Sequence, residues 1–93
     1  MEKPYVDRDE GMREIFRAFA ALGADTDPAG AEAQALVARW HRFIEEHFYS
    51  CPKPVLLGIS RIYTDDERFR EALEEYGAGT AQLMGDAIAV YCK

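Results

Sequence analysis

Residues 63–91 read YTDDERFREALEEYGAGTAQLMGDAIAVY, a stretch dense in signals that start and stop helices. Thr64 and Glu67 match a capping box, in which a threonine and a glutamate satisfy the free amides of a first helical turn. Apolar residues then recur every three or four positions, and a glycine pair brackets a turn before a second apolar stripe. The stretch therefore predicts two helices, over 65–76 and 80–92.

The same spacing of apolar residues predicts three more helices upstream, over 9–22, 28–48 and 54–63. No segment alternates apolar and polar residues with period two, so no sheet is expected. The predicted fold class is all-α: five short helices in one bundle that spans residues 1–93 as a single domain.

Glycine, proline and acidic residues mark the predicted boundaries. Asp7 and Glu10 have the spacing of a capping pair for the first helix. Gly23 is expected to end that helix in the left-handed conformation, which glycine adopts most readily. Asp27 is expected to cap the second helix, with Pro28 at the first helical position, where no amide donor is lost.

Composition and charge exclude several classes of protein. Hydrophobic residues make up 48% of the 93 residues and the net charge is −6, so the chain can bury a modest core but offers little basis for direct nucleic-acid contact. No apolar run reaches the length of a membrane span, and no charged-then-apolar leader opens the chain. Cytoplasmic localisation without membrane contact is the resulting expectation.

The reactive side chains do not assemble into a predicted catalytic or metal site. The acidic run 65–67 is explained by its place in a first helical turn. His41 and His47 are six residues apart and point in different directions from one helix, and His47 and Cys51 lack a third ligand. Cys51 has two readings, a small apolar filler or a reactive thiol. No metal, no cofactor and no enzymatic activity are expected; a haem ligated by His41 or His47 has no support beyond fold analogy.

The aromatic inventory favours a binding function. Most of the rings are expected in the core, but four combine an apolar body with a hydrogen-bonding tip, which suits the wall of a ligand cleft. These four are Trp40, Tyr49, Tyr63 and Tyr91. His41, His47 and Met84 are expected to add polar and adaptable contacts.

A family resemblance rests on a defined set of residues. They are Tyr63, Asp66, Glu67, Arg68, Phe69, Gly79, Ala81, Asp86, Ala87 and Ile88, with Ile44, Tyr49 and Cys51 at matching distances upstream. On these residues, and over roughly 33–91, the chain resembles the TipAS-type antibiotic-recognition domain, the drug-binding half of certain MerR-type transcription regulators. The resemblance implies a globin-like arrangement of helices and a bulky heterocyclic ligand such as a thiopeptide antibiotic.

The resemblance also implies where the ligand lies. The region from Trp40 through Ile44, Phe48 and Cys51, and on to Tyr63, is the part that would face it. Members that capture the drug covalently use a cysteine seven residues after the position of Cys51, where this chain has Gly58. Covalent capture at that position is therefore not expected.

A second departure concerns the extent of the domain. Family domains begin with additional helices that fold over the drug, and they are attached to a DNA-binding half. The chain is therefore expected to be either part of a longer regulator or a minimal binder that sequesters its ligand. The alternative function is a protein-interaction or dimerisation domain, in which the same apolar groove takes a helix of a partner or of a second copy.

Overall fold

The computed structural model describes residues 4–93, with side chains from Glu10 onward. The described residues form five α-helices and no strand, which confirms the predicted all-α fold class. The helices are α1 (Pro4–Leu22), α2 (Ala31–His47), α3 (Lys53–Asp65), α4 (Glu67–Glu74) and α5 (Thr80–Tyr91). None of these helices is both long and apolar enough to cross a bilayer.

Helix α5 lies at the centre of the fold and packs against each of the other four helices. Its apolar residues do not form a single stripe, because side chains on most of its circumference are buried, Leu83, Met84, Ala87 and Ile88 among them. A helix that is apolar nearly all round belongs inside a protein. Each large aliphatic side chain buried here stabilises the fold by about 1.5–3 kcal/mol.

The other helices form two pairs around α5. Helix α1 packs along α2, and α3 packs along α4, and each pair packs more extensively against α5 than against the other pair. Ile15 and Phe19 of α1 and Val37 of α2 are fully buried on one side, and Leu56 of α3 is fully buried on the other. The two pairs are therefore held together along α5, and a gap is left between them on the far side.

The start of α2 differs from the prediction. The helix begins at Ala31 rather than at Pro28, because Gly30 is extended, with ψ 162°. Asp27 does not cap this helix: its carboxylate accepts a hydrogen bond from the Ala29 amide, and its carbonyl accepts one from the Gly30 amide. The Asp-Pro signal therefore encodes a separate turn before the helix.

The start of α4 also differs from the prediction. Thr64 and Glu67 do not form a capping box, because α3 continues through Thr64 to Asp65. Asp66 is the N-cap instead, and its carboxylate accepts hydrogen bonds from the amides of Arg68 and Phe69. Both residue types can cap a helix, and the length of α3 decides which of them is free to do so.

The prediction for the end of α1 is confirmed, because Gly23 has φ 93° in the left-handed region. The predicted capping pair at the start of that helix is not observed as such. The helix begins at Pro4, so the backbone of Asp7 lies inside it, and the side chain of Asp7 lies outside the described residues. The remaining predicted helix ends agree with the structure to within about two residues, which is ordinary at helix termini.

Helix α5 has a cap that the sequence analysis did not identify. The Glu74 carboxylate accepts hydrogen bonds from the Gly79 amide at 2.7 Å and the Ala81 amide at 3.0 Å. These two bonds lower the pKa of Glu74 below its ordinary value of 4.5. A side chain at the end of α4 thus satisfies the free amides at the start of α5 and ties the two helices together.

Helices α3 and α5 cross closely at Gly85. A Cβ atom at this position would lie 2.6 Å from the Thr64 methyl group and 3.5 Å from the Ser60 carbonyl oxygen. Thr64 is β-branched and its methyl group has little freedom to move within a helix. The absence of a side chain at Gly85 therefore sets the distance between α3 and the central helix.

We predict that Gly85→Ala lowers the free energy of unfolding by about 1 kcal/mol. Overpacking destabilises a core by about 1–3 kcal/mol, whereas replacing a helical glycine by alanine stabilises the helix by about 1 kcal/mol. Chemical denaturation of the single and double variants with Thr64→Ala provides the check. With the Thr64 methyl group removed, Gly85→Ala is expected to be neutral or stabilising; equal effects in both backgrounds would show that the contact is unimportant.

We predict that Glu74→Gln lowers the free energy of unfolding by about 1 kcal/mol at pH 7, because a neutral amide replaces a carboxylate that accepts two amide hydrogen bonds. The pKa of Glu74 is lower in the folded state, so its contribution is present above the ordinary value of 4.5 and is lost as the pH falls through the folded-state pKa. The difference in the free energy of unfolding between wild type and variant should therefore be smaller in urea titrations at pH 3.

The matched control is Glu71→Gln, which removes the same charge from an exposed position on the same helix. This control should change stability by less than about 0.5 kcal/mol. If the free energies of unfolding of wild type and Glu74→Gln differ by the same amount at pH 7 and pH 3, the capping role of the carboxylate is contradicted.

Candidate ligand-binding site

Two adjoining cavities open in the gap between the α1–α2 pair and the α3–α4 pair; together we call them the aromatic groove. The first has a volume of about 500 Å³ and is lined by Met12, Phe16, Trp40, Tyr63, Phe69, Ala72, Leu73, Glu75 and Tyr76. The second has a volume of about 360 Å³ and is lined by Met12, Trp40, Ile44, Phe48, Tyr49, Ile59, Ile62, Tyr63 and Phe69. Because four residues line both cavities, the groove is continuous, and its size falls in the range of small-molecule sites.

Aromatic rings form both walls of the groove. Phe16 of α1 packs against Trp40 of α2 with ring centroids 5.3 Å apart, and at one end of the groove it contacts Tyr76, just after α4, at 5.7 Å. On the α3–α4 side, Tyr63 and Phe69 lie with centroids 6.4 Å apart. Aromatic pairs at such distances attract each other, so neighbouring rings of the groove support one another.

Trp40 and Tyr63, which line both cavities, each carry a polar atom. Trp40 is 3% exposed, and its indole N–H has no hydrogen-bond acceptor among the described residues. Burial raises the pKa of Tyr63 well above its usual range, and the nearby Trp40 N–H only partly offsets that rise. The Tyr63 hydroxyl is therefore neutral at physiological pH, and the Trp40 N–H lies near it without meeting hydrogen-bond geometry, so this buried donor is poorly satisfied, which is rare.

The rim of the groove exposes large apolar side chains. Phe48 is 42% exposed, Tyr49 53%, Ile62 44% and Phe69 51%. Single exposed apolar residues are ordinary, but a contiguous group of them around a concave surface often marks a binding site. The rim thus extends the apolar surface that a bound molecule would contact.

Five residues predicted from the sequence to bind ligand line the groove. They are Trp40, Ile44, Phe48, Tyr49 and Tyr63. The first three are spaced by four residues and so share one face of α2 and its continuation. Ligand contact by these residues is a prediction that the geometry permits.

Three other predicted residues lie together in a separate polar cluster. The His41 Nε2 donates to the Cys51 carbonyl oxygen at 2.6 Å, and its Nδ1 accepts from the Tyr91 hydroxyl at 3.1 Å. Because a carbonyl can only accept, these contacts place the imidazole proton on Nε2. The cluster joins α2 to the segment before α3 and to the end of α5, and none of the three residues lines the groove.

Cys51 is fully buried within this cluster. Burial, together with the charge of Glu45, raises the pKa of its thiol. The thiolate is the reactive form of cysteine. Because the Cys51 thiol is inaccessible and its pKa is raised, the structure favours the interpretation of Cys51 as an apolar residue that fills the core over that of a reactive thiol.

The last two predicted residues also lie away from the groove. Met84 is fully buried in α5. His47 lies against the ring of Phe43, with centroids 4.4 Å apart. The described residues contain no group of three or more His, Cys, Asp or Glu side chains that would hold a metal ion.

Several groove residues were not predicted from the sequence. They are Met12, Phe16, Ile59, Ile62, Phe69, Ala72, Leu73, Glu75 and Tyr76. Most belong to helical apolar stripes that were interpreted as core. One available signal was helical phase: adjacent residues such as Trp40 and His41 point about 100° apart, so they do not line one narrow cleft.

Comparisons with known proteins identify a relative and a family. A relative, "HTH-type transcriptional activator mta" of Bacillus subtilis (strain 168), is 35% identical over 78 residues. The match covers 84% of this chain but 30% of the relative, so the chain corresponds to less than a third of that protein's length. No solved structure matches.

The family comparison covers nearly the whole chain. The TipAS antibiotic-recognition domain matches residues 2–91, a range that contains all five helices. With its all-α fold, its central α5 and this match, the chain belongs to the TipAS antibiotic-recognition domain family.

Proposed function

We propose that this chain is a non-catalytic ligand-sensing domain that binds a bulky heterocyclic molecule, such as a thiopeptide antibiotic, in the aromatic groove. The observation that carries the proposal is the continuous apolar hollow between the two helix pairs, with its aromatic walls. Flat heterocycles stack well against such rings and bury apolar surface on both of their faces.

The polar atoms of the groove support a heterocyclic ligand in particular. The Trp40 indole N–H is a buried donor without an acceptor among the described residues. The N–H is covered in the free protein, so a ring nitrogen or an amide carbonyl of a ligand would satisfy this donor after a small movement of the indole. A purely hydrocarbon ligand would leave it unsatisfied, so the groove favours a molecule with acceptor atoms along an apolar frame.

Binding in this domain is expected to be non-covalent. Cys51 is buried and its thiol pKa is raised, so it is not available as a nucleophile. Gly58 stands at the position that the resemblance assigns to a capturing cysteine, and a Cβ atom there would meet nothing within 4 Å. Affinity therefore depends on burial in the groove.

The regulatory role is proposed by analogy with the relative named as a transcriptional activator. In a longer cytoplasmic regulator, the groove would report the ligand to an attached DNA-binding domain, and this chain would not contact nucleic acid itself. A ligand that bridges the two helix pairs binds one relative arrangement of them best, and that difference in affinity can shift a conformational equilibrium.

The test uses the fluorescence of Trp40, the single tryptophan of the chain. Titration with a thiopeptide is expected to change its emission saturably, because Trp40 lines both cavities. Phe69→Ala removes one wall and should weaken binding by about tenfold, or about 1.4 kcal/mol.

The matched control is Val55→Ala, which truncates another exposed apolar side chain, 44% exposed, that lines neither cavity. It should leave the affinity unchanged. Emission that stays constant at high thiopeptide concentration, or an equal loss in both variants, would argue against a thiopeptide in the groove.

A second candidate function is suggested by the exposed apolar rim. Phe48, Tyr49 and Phe69 present rings to solvent, and a helix from a partner or from a second copy could cover them. A mass that rises with protein concentration in light scattering, and that Phe69→Ala reduces to the monomer value, would favour this function.

A further inference from the structure

The charge of the aromatic groove is unevenly distributed. Among the described residues, Glu75 is the single charged side chain that lines either cavity, and it lines the first cavity alone. The second cavity has no charged lining residue. The groove thus has an acidic end and a wholly uncharged end.

The acidic end also carries aromatic rings. Tyr76 follows Glu75 directly and packs edge-on against Phe16, which in turn packs against Trp40. The faces of aromatic rings attract cations, and a carboxylate beside them adds a full negative charge. No Lys, Arg or His side chain of the described residues forms an ion pair with Glu75, as the ion pairs present involve Glu10, Glu14 and Glu45.

A neutral ligand is a poor match for this end. Glu75 is exposed in the free protein, and such a ligand would remove part of the water around its carboxylate without providing a partner, which costs free energy. A ligand with a positive group at that end would compensate the carboxylate and contact the rings at once. The net charge of −6 adds a long-range field that attracts cations.

We infer that the groove prefers lipophilic cations, with the positive group placed between Glu75 and the rings of Phe16 and Tyr76, and the apolar body extending into the second cavity. This inference rests on the proposed function, because it concerns the same groove. It adds a charge requirement that neither the apolar lining nor the family match specifies.

The experiment compares two compounds that differ in charge and share one ring system. Acridine is neutral at pH 8, and N-methylacridinium is a permanent cation of nearly the same shape. Equilibrium dialysis at low salt, read by the absorbance of the compound, gives the affinity of each for the full chain. The cation is expected to bind about threefold to fivefold more tightly, which is the range for cation–ring and carboxylate contacts at a half-open site.

Two variants test the source of that preference. Glu75→Gln should reduce it severalfold by weakening N-methylacridinium binding, with acridine binding unchanged or slightly tighter. Glu71→Gln removes the same charge from a residue of α4 that is also exposed but lines neither cavity, so it should keep the preference. Added salt should weaken binding of the cation and not of acridine.

The outcomes separate this inference from the proposed function. If both compounds bind equally, and Phe69→Ala weakens both, the groove is a ligand site and the charge preference is wrong. A preference that Glu75→Gln leaves undiminished, or that Glu71→Gln reduces as much, also overturns the assignment to Glu75. If neither compound binds and thiopeptides leave the Trp40 emission unchanged, both the inference and the proposed function fail.

Discussion

The packing of α5 against all four other helices is the constraint on which the rest of the molecule depends. Met84, Ala87 and Ile88 are fully buried there, and Gly85 lets α3 approach closely. Because the two helix pairs meet mainly through α5, the core lies along one side of each pair. The opposite side is left without enough apolar side chains to fill it, as is common in a domain of this size.

The aromatic groove is the direct consequence of that arrangement. Trp40 and Tyr63 reach it from opposite pairs and close its floor, while Phe48 and Phe69 remain half exposed at its rim. In the free protein, the apolar surface of this groove is in contact with water, which raises the free energy. A ligand that fills the groove removes this surface and its own apolar surface from water, which favours the complex. The features that leave the fold incompletely filled are thus the features that suit a binding domain.

The polar interactions of the fold serve a different purpose from those of the groove. Glu74 caps α5, Asp66 caps α4, and His41 bridges Cys51 and Tyr91. Each connects two elements with a satisfied group, so each stabilises the frame. In contrast, the Trp40 N–H is unpaired and the Glu75 carboxylate has no ion-pair partner among the described residues. A ligand in the groove can therefore provide an acceptor for the buried Trp40 donor and a positive partner for the exposed Glu75 carboxylate, whereas the groups that cap and bridge the helices are already satisfied.

The residue pattern alone was sufficient to predict five helices, an all-α fold and the left-handed end at Gly23, because apolar period and glycine geometry are local properties. It also placed Trp40, Ile44 and Phe48 on one face, since helical phase follows from spacing. It did not predict that Met84 faces the core or that His41 turns away from the groove. Those outcomes depend on how each helix is rotated against its neighbours, and that rotation is set by contacts between residues distant in the chain, such as Gly85 with Thr64.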